Sequence, residues 1–269
     1  MDTNKQKLID LFNKNVRGKK PDISNYSLKH DGKVGNWLEK QFGKNPDNDN
    51  KADFFGYELK NETRSKTTFG DWSANYYIFK DANYAYIFKN LPDNYSSQDK
   101  FCELFGLPNK DNRYSWSGLS CPQIDSYNIC GQTLRVCSNY DIIVLYSYSV
   151  DKRPNKHIII PIELRQDNLI IAKWFGIQSP DSNKRNKSLK QKLEDKFNDK
   201  GWFTCKTRAD GRYEKICFGK PINYNSWIEL VKSGVVFFDS GMYQGNKRPY
   251  SMWRANNSFW NAMIIEEYD

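Results

Sequence analysis

Hydrophobic positions at helical spacing open the chain: Leu8, Leu11 and Phe12 predict a helix over 3–15, which "RGKKPDIS" ends. A second helix is predicted over "DGKVGNWLEKQFG", with Val34, Trp37, Leu38 and Phe42 on one face and Gly43 as its stop. The polar stretch "KNPDNDNK" reads as a loop. Aromatic and branched residues then predict strands in "DFFGYELKNE" and "NYYIFKDANYAYIFKN", the latter as a hairpin around "DAN". Residues 91–139 lose this regularity and read as a long insertion with one short helix near 99–105.

The pattern sharpens from 141 onward. "DIIVLYSYS" (141–149) and "HIIIPIEL" (157–164) predict strands, and "LIIAKWFGI" follows. "SLKQKLEDKFNDKG" predicts an amphipathic helix with Leu189, Leu193 and Phe197 in line. "WFTCKTRADG" and "RYEKICFG" predict a hairpin turning at "ADG". "NYNSWIELVKSG" predicts a short helix stopped by Gly234, and "VVFFDSGMY" a strand after it. Strands and helices are mixed, without repeats or a low-complexity linker. The expected architecture is therefore mixed α/β, one domain over 1–269 with two lobes, roughly 1–150 and 151–269.

Composition adds a partner class. Lys and Arg total 41 against 32 acidic residues, a formal charge of +9, which favours a polyanionic partner. Aromatic residues make up a high 15% of the 269; many must fill cores, but some are free to pack on bases or sugars. No apolar run approaches the ~18 residues of a membrane span. The opening stretch lacks the apolar centre of an export signal, so a cytoplasmic setting is expected. The six cysteines are then expected as reduced thiols. They form no CxxC pair and His30 and His157 are the only histidines, which argues against a zinc site.

Candidate chemistry lies in "NKADFFGYELKNET" (50–63). Glu58 and Lys60 are two apart on a predicted strand and share a face, with Asp53 shortly before them. Two carboxylates suffice for Mg²⁺, which keeps most of its ligands as water, and Lys60 is placed to hold or deprotonate an attacking water. Glu39, on the preceding helix, is placed to reach the same metal shell or to orient Lys60. The same residues also fit an ordinary strand-edge ion pair, and the spacing alone does not separate the two.

The stretch "GKVGNWLEKQFGKNPDNDNKADFFGYELKNET" resembles the first catalytic block of the MutH-like nucleases of the PD-(D/E)xK superfamily. The matching positions are Gly32, Gly35, Glu39, Asp53, Phe54, Gly56, Glu58, Leu59 and Lys60. The gap between Asp53 and Glu58 and the order of elements toward the C-terminus look most like the MvaI/BcnI group of type II restriction enzymes, near which LlaMI- and ScrFI-like enzymes belong. The resemblance implies a PD-(D/E)xK fold, a mixed sheet flanked by helices, with two lobes around a DNA cleft. It implies a monomeric bacterial endonuclease that cuts a short, palindromic, CCNGG-like site in double-stranded DNA, one strand at a time. Mg²⁺, replaceable by Mn²⁺, would sit on Asp53 and Glu58, with Lys60 completing the site and Glu39 in support. A cognate DNA methyltransferase would be a functional rather than a physical partner. One departure is that "NETRSKTTFGDW" lacks the histidine that some relatives place after this strand, which shifts the work to Lys60 or metal-bound hydroxide.

Three segments suit DNA contact. "NKRNKSLKQK" (183–192), with Arg185 and Lys187, is basic without an acid, as phosphate clamping requires. "YQGNKRPYSMWRANNSFW" (243–260) mixes Tyr243, Gln244, Lys247, Arg248, Arg254, Asn256 and Asn257; Arg suits guanine, and Asn or Gln suits adenine. "NRYSWSG" (112–118), with Arg113 and Trp116, is a further candidate. Two rivals remain open from the residues: a MutH-like strand-specific nickase acting in repair, and a non-catalytic nucleic-acid-binding protein.

Overall fold

The computed structural model describes residues 2–24, 32–45, 49–89, 92, 95–180 and 186–269. The chain divides into two compact units: residues 1–67, 192–224 and 255–269 form the first, and residues 68–191 and 225–254 the second. The division is therefore not a single cut near 150. Three stretches far apart in sequence return to one sheet, so the units interleave along the chain.

The first unit is built on a four-stranded mixed sheet. Tyr57–Leu59 pairs in parallel with Gly201–Thr207, with Glu58 opposite Trp202 and Leu59 opposite Phe203. Gly201–Thr207 pairs antiparallel with Tyr213–Gly219, the expected hairpin, and Tyr213–Gly219 pairs antiparallel with Ile264–Tyr268. Period-2 alternation gives the sheet two faces. Tyr57, Leu59, Phe203, Cys205, Ile216 and Phe218 pack with Leu8 and Phe12 of helix Thr3–Asn15 and with Trp37 and Leu38 of helix Lys33–Gln41. Glu58, Lys60, Trp202 and Thr204 alternate with these residues and so lie on the other face. There Trp202 meets Trp260 of helix Asn257–Ala262 edge-on, with ring centroids 5.0 Å apart. Phe197, the last residue of helix Leu189–Phe197, packs on the same Trp260 ring. The spacing of Leu189, Leu193 and Phe197 predicted that helix, and all three are fully buried.

A tight turn starts the Tyr57–Leu59 strand. Phe54 and Tyr57 exchange both backbone hydrogen bonds, at 2.9 and 2.8 Å. The two residues between them, Phe55 at φ 52° and Gly56 at φ 88°, are both left-handed. This is the two-residue hairpin connection whose twist matches that of the flanking strands. The positive φ favours glycine at 56, and a Cβ there would lie 2.2 Å from the Asp199 carboxylate, which would have to swing aside.

The second unit holds an antiparallel sheet in the order Tyr76–Tyr77, Leu169–Trp174, Ile142–Tyr146, Gln132–Val136. Two three-stranded sheets join it: Val236–Ser240, Ser251–Asn256, Lys66–Asp71, and Met242–Tyr243, Tyr114–Trp116, Leu107–Pro108. Its interior is aromatic, with Trp253 against Trp227 at 5.3 Å and Trp174 at 5.6 Å between ring centroids.

Three sequence expectations fail here. "NYYIFKDANYAYIFKN" is not a hairpin: after Tyr76–Tyr77 the chain winds into 3₁₀ turns at Ile78–Lys80 and Ala85–Phe88, with the Asp81 side chain accepting from the Asn83 backbone. "HIIIPIEL" is not a strand: Lys156–Ile159 is helical and Ile162–Leu164 is a 3₁₀ turn. Pro161 lacks the N–H a ladder needs, and the Arg165 guanidinium closes the loop by donating to the carbonyls of His157 and Ile160. Residues 91–139 contain helix Ser97–Phe105 as expected, and also strands Tyr114–Trp116 and Gln132–Val136 that complete the sheets above. All six cysteines are free thiols, and no helix among the described residues is long and apolar enough to cross a membrane.

Replacing Gly56 by Ala forces a Cβ into the left-handed region and against Asp199, and is expected to destabilise the protein by about 2 kcal/mol. Urea denaturation of the variant beside wild type measures this.

Candidate active site

The turn at Phe55–Gly56 determines what Asp53 can reach. Because Phe54 and Tyr57 are paired, Asp53 and Glu58 are the next residues outward on the two arms of the hairpin. An interval that is unremarkable in sequence thus becomes a cross-strand juxtaposition. Asp53 Oδ2 accepts a hydrogen bond from the Leu59 backbone N–H at 3.0 Å, which fixes the carboxylate, and Oδ1 accepts from Lys44 Nζ at 3.1 Å.

Glu58 is 2% exposed, and its Oε1 is shared by two ammonium groups, Lys60 Nζ at 2.8 Å and Lys196 Nζ at 2.9 Å. Its Oε2 is buried and receives no hydrogen bond. Lys60 extends over the Phe197 ring, 5.0 Å from the centroid. Lys196 was not singled out from the sequence, although a signal exists. It lies seven residues after Leu189 and three after Leu193, on the helix face that those leucines bury.

The charges in this cluster shift one another. Burial pushes the Glu58 carboxyl up, but the ammonium groups of Lys60 and Lys196 outweigh burial and hold it below its ordinary value. Burial and the Glu58 charge together raise Asp53, against the opposing pull of Lys196, Lys44 and Lys60. Lys60 is lowered, burial being the largest influence, with Glu58 opposing it and Lys196 adding to it. Lys196 is raised, because Glu58 more than offsets its burial.

A buried carboxylate oxygen without a donor, beside a second carboxylate held in position, is a donor set that suits a hard divalent cation. Among the described residues no group of three or more His, Cys, Asp or Glu side chains gathers to form an all-protein cage.

The remaining candidates separate. Glu39 lies half-buried in helix Lys33–Gln41, and its carbonyl accepts from the Lys44 backbone N–H. Arg113 and Tyr243, from two of the predicted DNA segments, come together where Met242–Tyr243 pairs with Tyr114–Trp116. The exposed Arg113 guanidinium stacks 4.2 Å from the Tyr243 ring centroid. Gln244 accepts from the Tyr114 N–H and donates to Tyr95 Oη, so it braces this small sheet. Trp116 is fully buried, donating through Nε1 to Gln132, and is a core residue rather than an exposed base reader. Arg248 pairs with Asp71 at 2.7 Å and Arg254 with Asp239 at 3.0 Å; Lys247 is exposed. Asn257 accepts from Thr67 Oγ1 and donates to the Thr63 carbonyl, a structural role, while Asn256 is exposed before helix Asn257–Ala262. Lys187 is half-buried, its carbonyl accepting from Asn75, and Arg185 lies outside the described residues.

Comparison with known proteins places these features. The solved complex of restriction endonuclease MvaI with its cognate DNA substrate matches with a TM-score of 0.59 over 100% of this chain and 98% of that one, at 13% identity. The fold is accordingly of the PD-(D/E)xK restriction-endonuclease type. Residues 16–268 match the profile of the LlaMI restriction endonuclease family, and the type II restriction enzyme ScrFI of Lactococcus lactis subsp. cremoris is 54% identical over 269 residues, covering 99% of each chain. The chain belongs to the LlaMI restriction endonuclease family, and it is a type II restriction endonuclease, a site-specific deoxyribonuclease.

Glu58→Gln removes the carboxylate charge that Lys60 and Lys196 share and is expected to destabilise the protein by about 3 kcal/mol at pH 7. The folded-state pKa of Glu58 is depressed. Its stabilising contribution is therefore fully present above the unfolded glutamate range and is lost as pH falls through the folded value. Denaturation at pH 7 and again below pH 4 should show the gap between variant and wild type closing in acid.

Proposed function

We propose that the enzyme hydrolyses phosphodiester bonds of double-stranded DNA with Mg²⁺, replaceable by Mn²⁺, held by Asp53 and Glu58. The observation that carries this reading is the buried Glu58 Oε2, which has no donor and lies on the hairpin arm facing the fixed Asp53 carboxylate. When bound, the ion supplies Lewis-acid stabilisation of the charge that develops on phosphorus and makes a bound water more acidic. The Leu59 N–H orients Asp53. Lys60, held against Glu58 on the same strand, is placed to hold the attacking water. Glu39 supports the site from the preceding helix, whose end positions Lys44.

Sequence reading is assigned to the surface where Arg113 stacks on Tyr243, with Lys247 close in sequence and Asn256 further along. Stacking presents the planar guanidinium for a bidentate bond to guanine O6 and N7. Arg248 and Arg254, each paired with a carboxylate, brace the recognition strands and would reach phosphates only by exchanging those partners. Lys187 and Arg185 belong to a basic segment that suits phosphate contacts. By analogy with its relatives, the enzyme is proposed to act as a monomer in the bacterial cytoplasm on a CCNGG-like site, protected by a cognate methyltransferase with which it forms no complex.

Plasmid digestion with Mg²⁺ tests the catalytic assignment. Wild type should give discrete fragments, whereas Lys60→Ala should bind the same fragments in a gel-shift assay and leave them uncut. Full cleavage by Lys60→Ala would remove that residue from the mechanism. Arg113→Ala is expected to lower affinity for the cleaved site by about 10–100-fold, with an unchanged melting temperature because the side chain is exposed. Unchanged discrimination between cognate and scrambled duplexes would move base reading elsewhere.

A further inference from the structure

The sheet face that carries Glu58 and Lys60 also carries a buried hydroxyl that no other protein group meets. The parallel register sets Leu59 opposite Phe203, so the next pair along is Lys60 and Thr204, and the Lys60 N–H donates to the Phe203 carbonyl at 2.8 Å. Alternation along both strands puts the Lys60 and Thr204 side chains next to each other, on the face where Trp202 meets Trp260. Thr204 is 4% exposed, and its Oγ1 is buried without a hydrogen-bond partner in the protein. The strand does not demand a threonine, since valine has the same shape and strand preference with no polar atom to bury. A buried hydroxyl is costly unless it is met, and inside proteins an ordered water commonly meets it.

There is room for one water and nothing larger. Lys60, Thr204, Trp202 and Trp260 are among the residues lining a cavity of about 10 Å³. Two of its polar neighbours are engaged with protein groups: Trp260 Nε1 donates to the Thr67 carbonyl at 3.2 Å, and Lys206 Nζ donates to Glu62 and Asn261. Lys60 enters from the strand beside Thr204, its Nζ bonded to Glu58 Oε1 at 2.8 Å and lying over the Phe197 ring. An ammonium carries three donors, so the bond to Glu58 is compatible with a further one to water.

We propose that Thr204 is a positioning residue for the reaction: its hydroxyl holds one water in this cavity, and that water accepts a hydrogen bond from Lys60 Nζ. The proposal rests on the reading of Lys60 as the group that holds the attacking water. Glu58 then restrains the ammonium from its own strand, and the water bound to Thr204 restrains it from the neighbouring one. Lysine has a flexible four-carbon stem, so two restraints in different directions define where Nζ sits far better than one. Thr204 touches neither DNA nor metal in this arrangement. Its contribution is geometric, and a small misplacement of a group that orients the nucleophile is enough to slow the chemical step.

The test compares Thr204→Val, which removes the hydroxyl at constant shape, with Thr204→Ser, which keeps it. Single-turnover plasmid cleavage at saturating enzyme and Mg²⁺ is measured beside gel-shift affinity and urea denaturation. The Val variant should cleave about tenfold more slowly while binding DNA within about twofold of wild type, and Ser should restore the rate to within about threefold. Stability of the Val variant should not fall. A hydroxyl with only a structural role would do the reverse, lowering stability in Val and leaving the single-turnover rate unchanged. Cleavage by Val at the wild-type rate, or equal losses in Val and Ser, overturns the proposal. A high-resolution crystal structure of the free enzyme should show a water within about 3.2 Å of both Thr204 Oγ1 and Lys60 Nζ, and none at that place in wild type also overturns it. Lys60→Ala separates the two levels of the argument. If it cleaves as wild type does, the reading of Lys60 itself is wrong; if it is inactive while Thr204→Val cleaves at the wild-type rate, only the role of Thr204 is wrong.

Discussion

A glutamate that is 2% exposed remains ionised only where cations meet it, and the meeting of Lys60 and Lys196 at one oxygen of Glu58 is the constraint on which the first unit is organised. Three separate pieces of chain must arrive for it to exist. The hairpin at Phe55–Gly56 starts the Glu58 strand and brings Asp53 alongside. The parallel pairing of Glu58 with Trp202 fixes which sheet face the carboxylate occupies. Helix Leu189–Phe197, anchored by Leu189, Leu193 and Phe197, delivers the second ammonium. Loss of any one leaves a buried charge without its partner, a larger penalty than the pair itself would suggest.

The second unit is ordered by different means. Its interior consists largely of tryptophan and phenylalanine rings packed edge to face, and several of its charged residues are tied in pairs, Arg248 to Asp71, Arg254 to Asp239, and the buried Arg153 to Asp151. Rigid aromatic packing of this kind holds the strands of this unit in one geometry. It also explains where part of the unusual aromatic content resides. Trp116, Trp174, Trp227 and Trp253 are all fully buried, so the abundance of tryptophan reflects the core and not base stacking.

Much of the first unit was legible in the sequence because its signals are local. Leu8 and Phe12, Trp37 and Leu38, and the Leu189–Phe197 periodicity each mark one buried helix face. The block from Gly32 to Lys60 carries the family resemblance. The assembly of the first unit's sheet was not legible, because it depends on strands at 57, 201, 213 and 264 finding one another across a long intervening stretch of sequence. "HIIIPIEL" misled because an apolar run signals burial or a strand only on average; here Ile158 and Ile162 are 76% and 75% exposed, and Pro161 governs the backbone. Lys196 escaped notice because a lysine on an apolar helix face looks like a solvated charge until its partner, 138 residues away, is known.

The central claim is that the Asp53–Glu58 pair is a metal site, and anomalous diffraction tests it most directly. Crystals of the enzyme with a duplex containing its cleavage site and Mn²⁺, measured at the manganese edge, should show a peak about 2.1 Å from an Asp53 oxygen and from Glu58 Oε2. A peak on other residues, or none in crystals where the DNA is bound, would contradict the account.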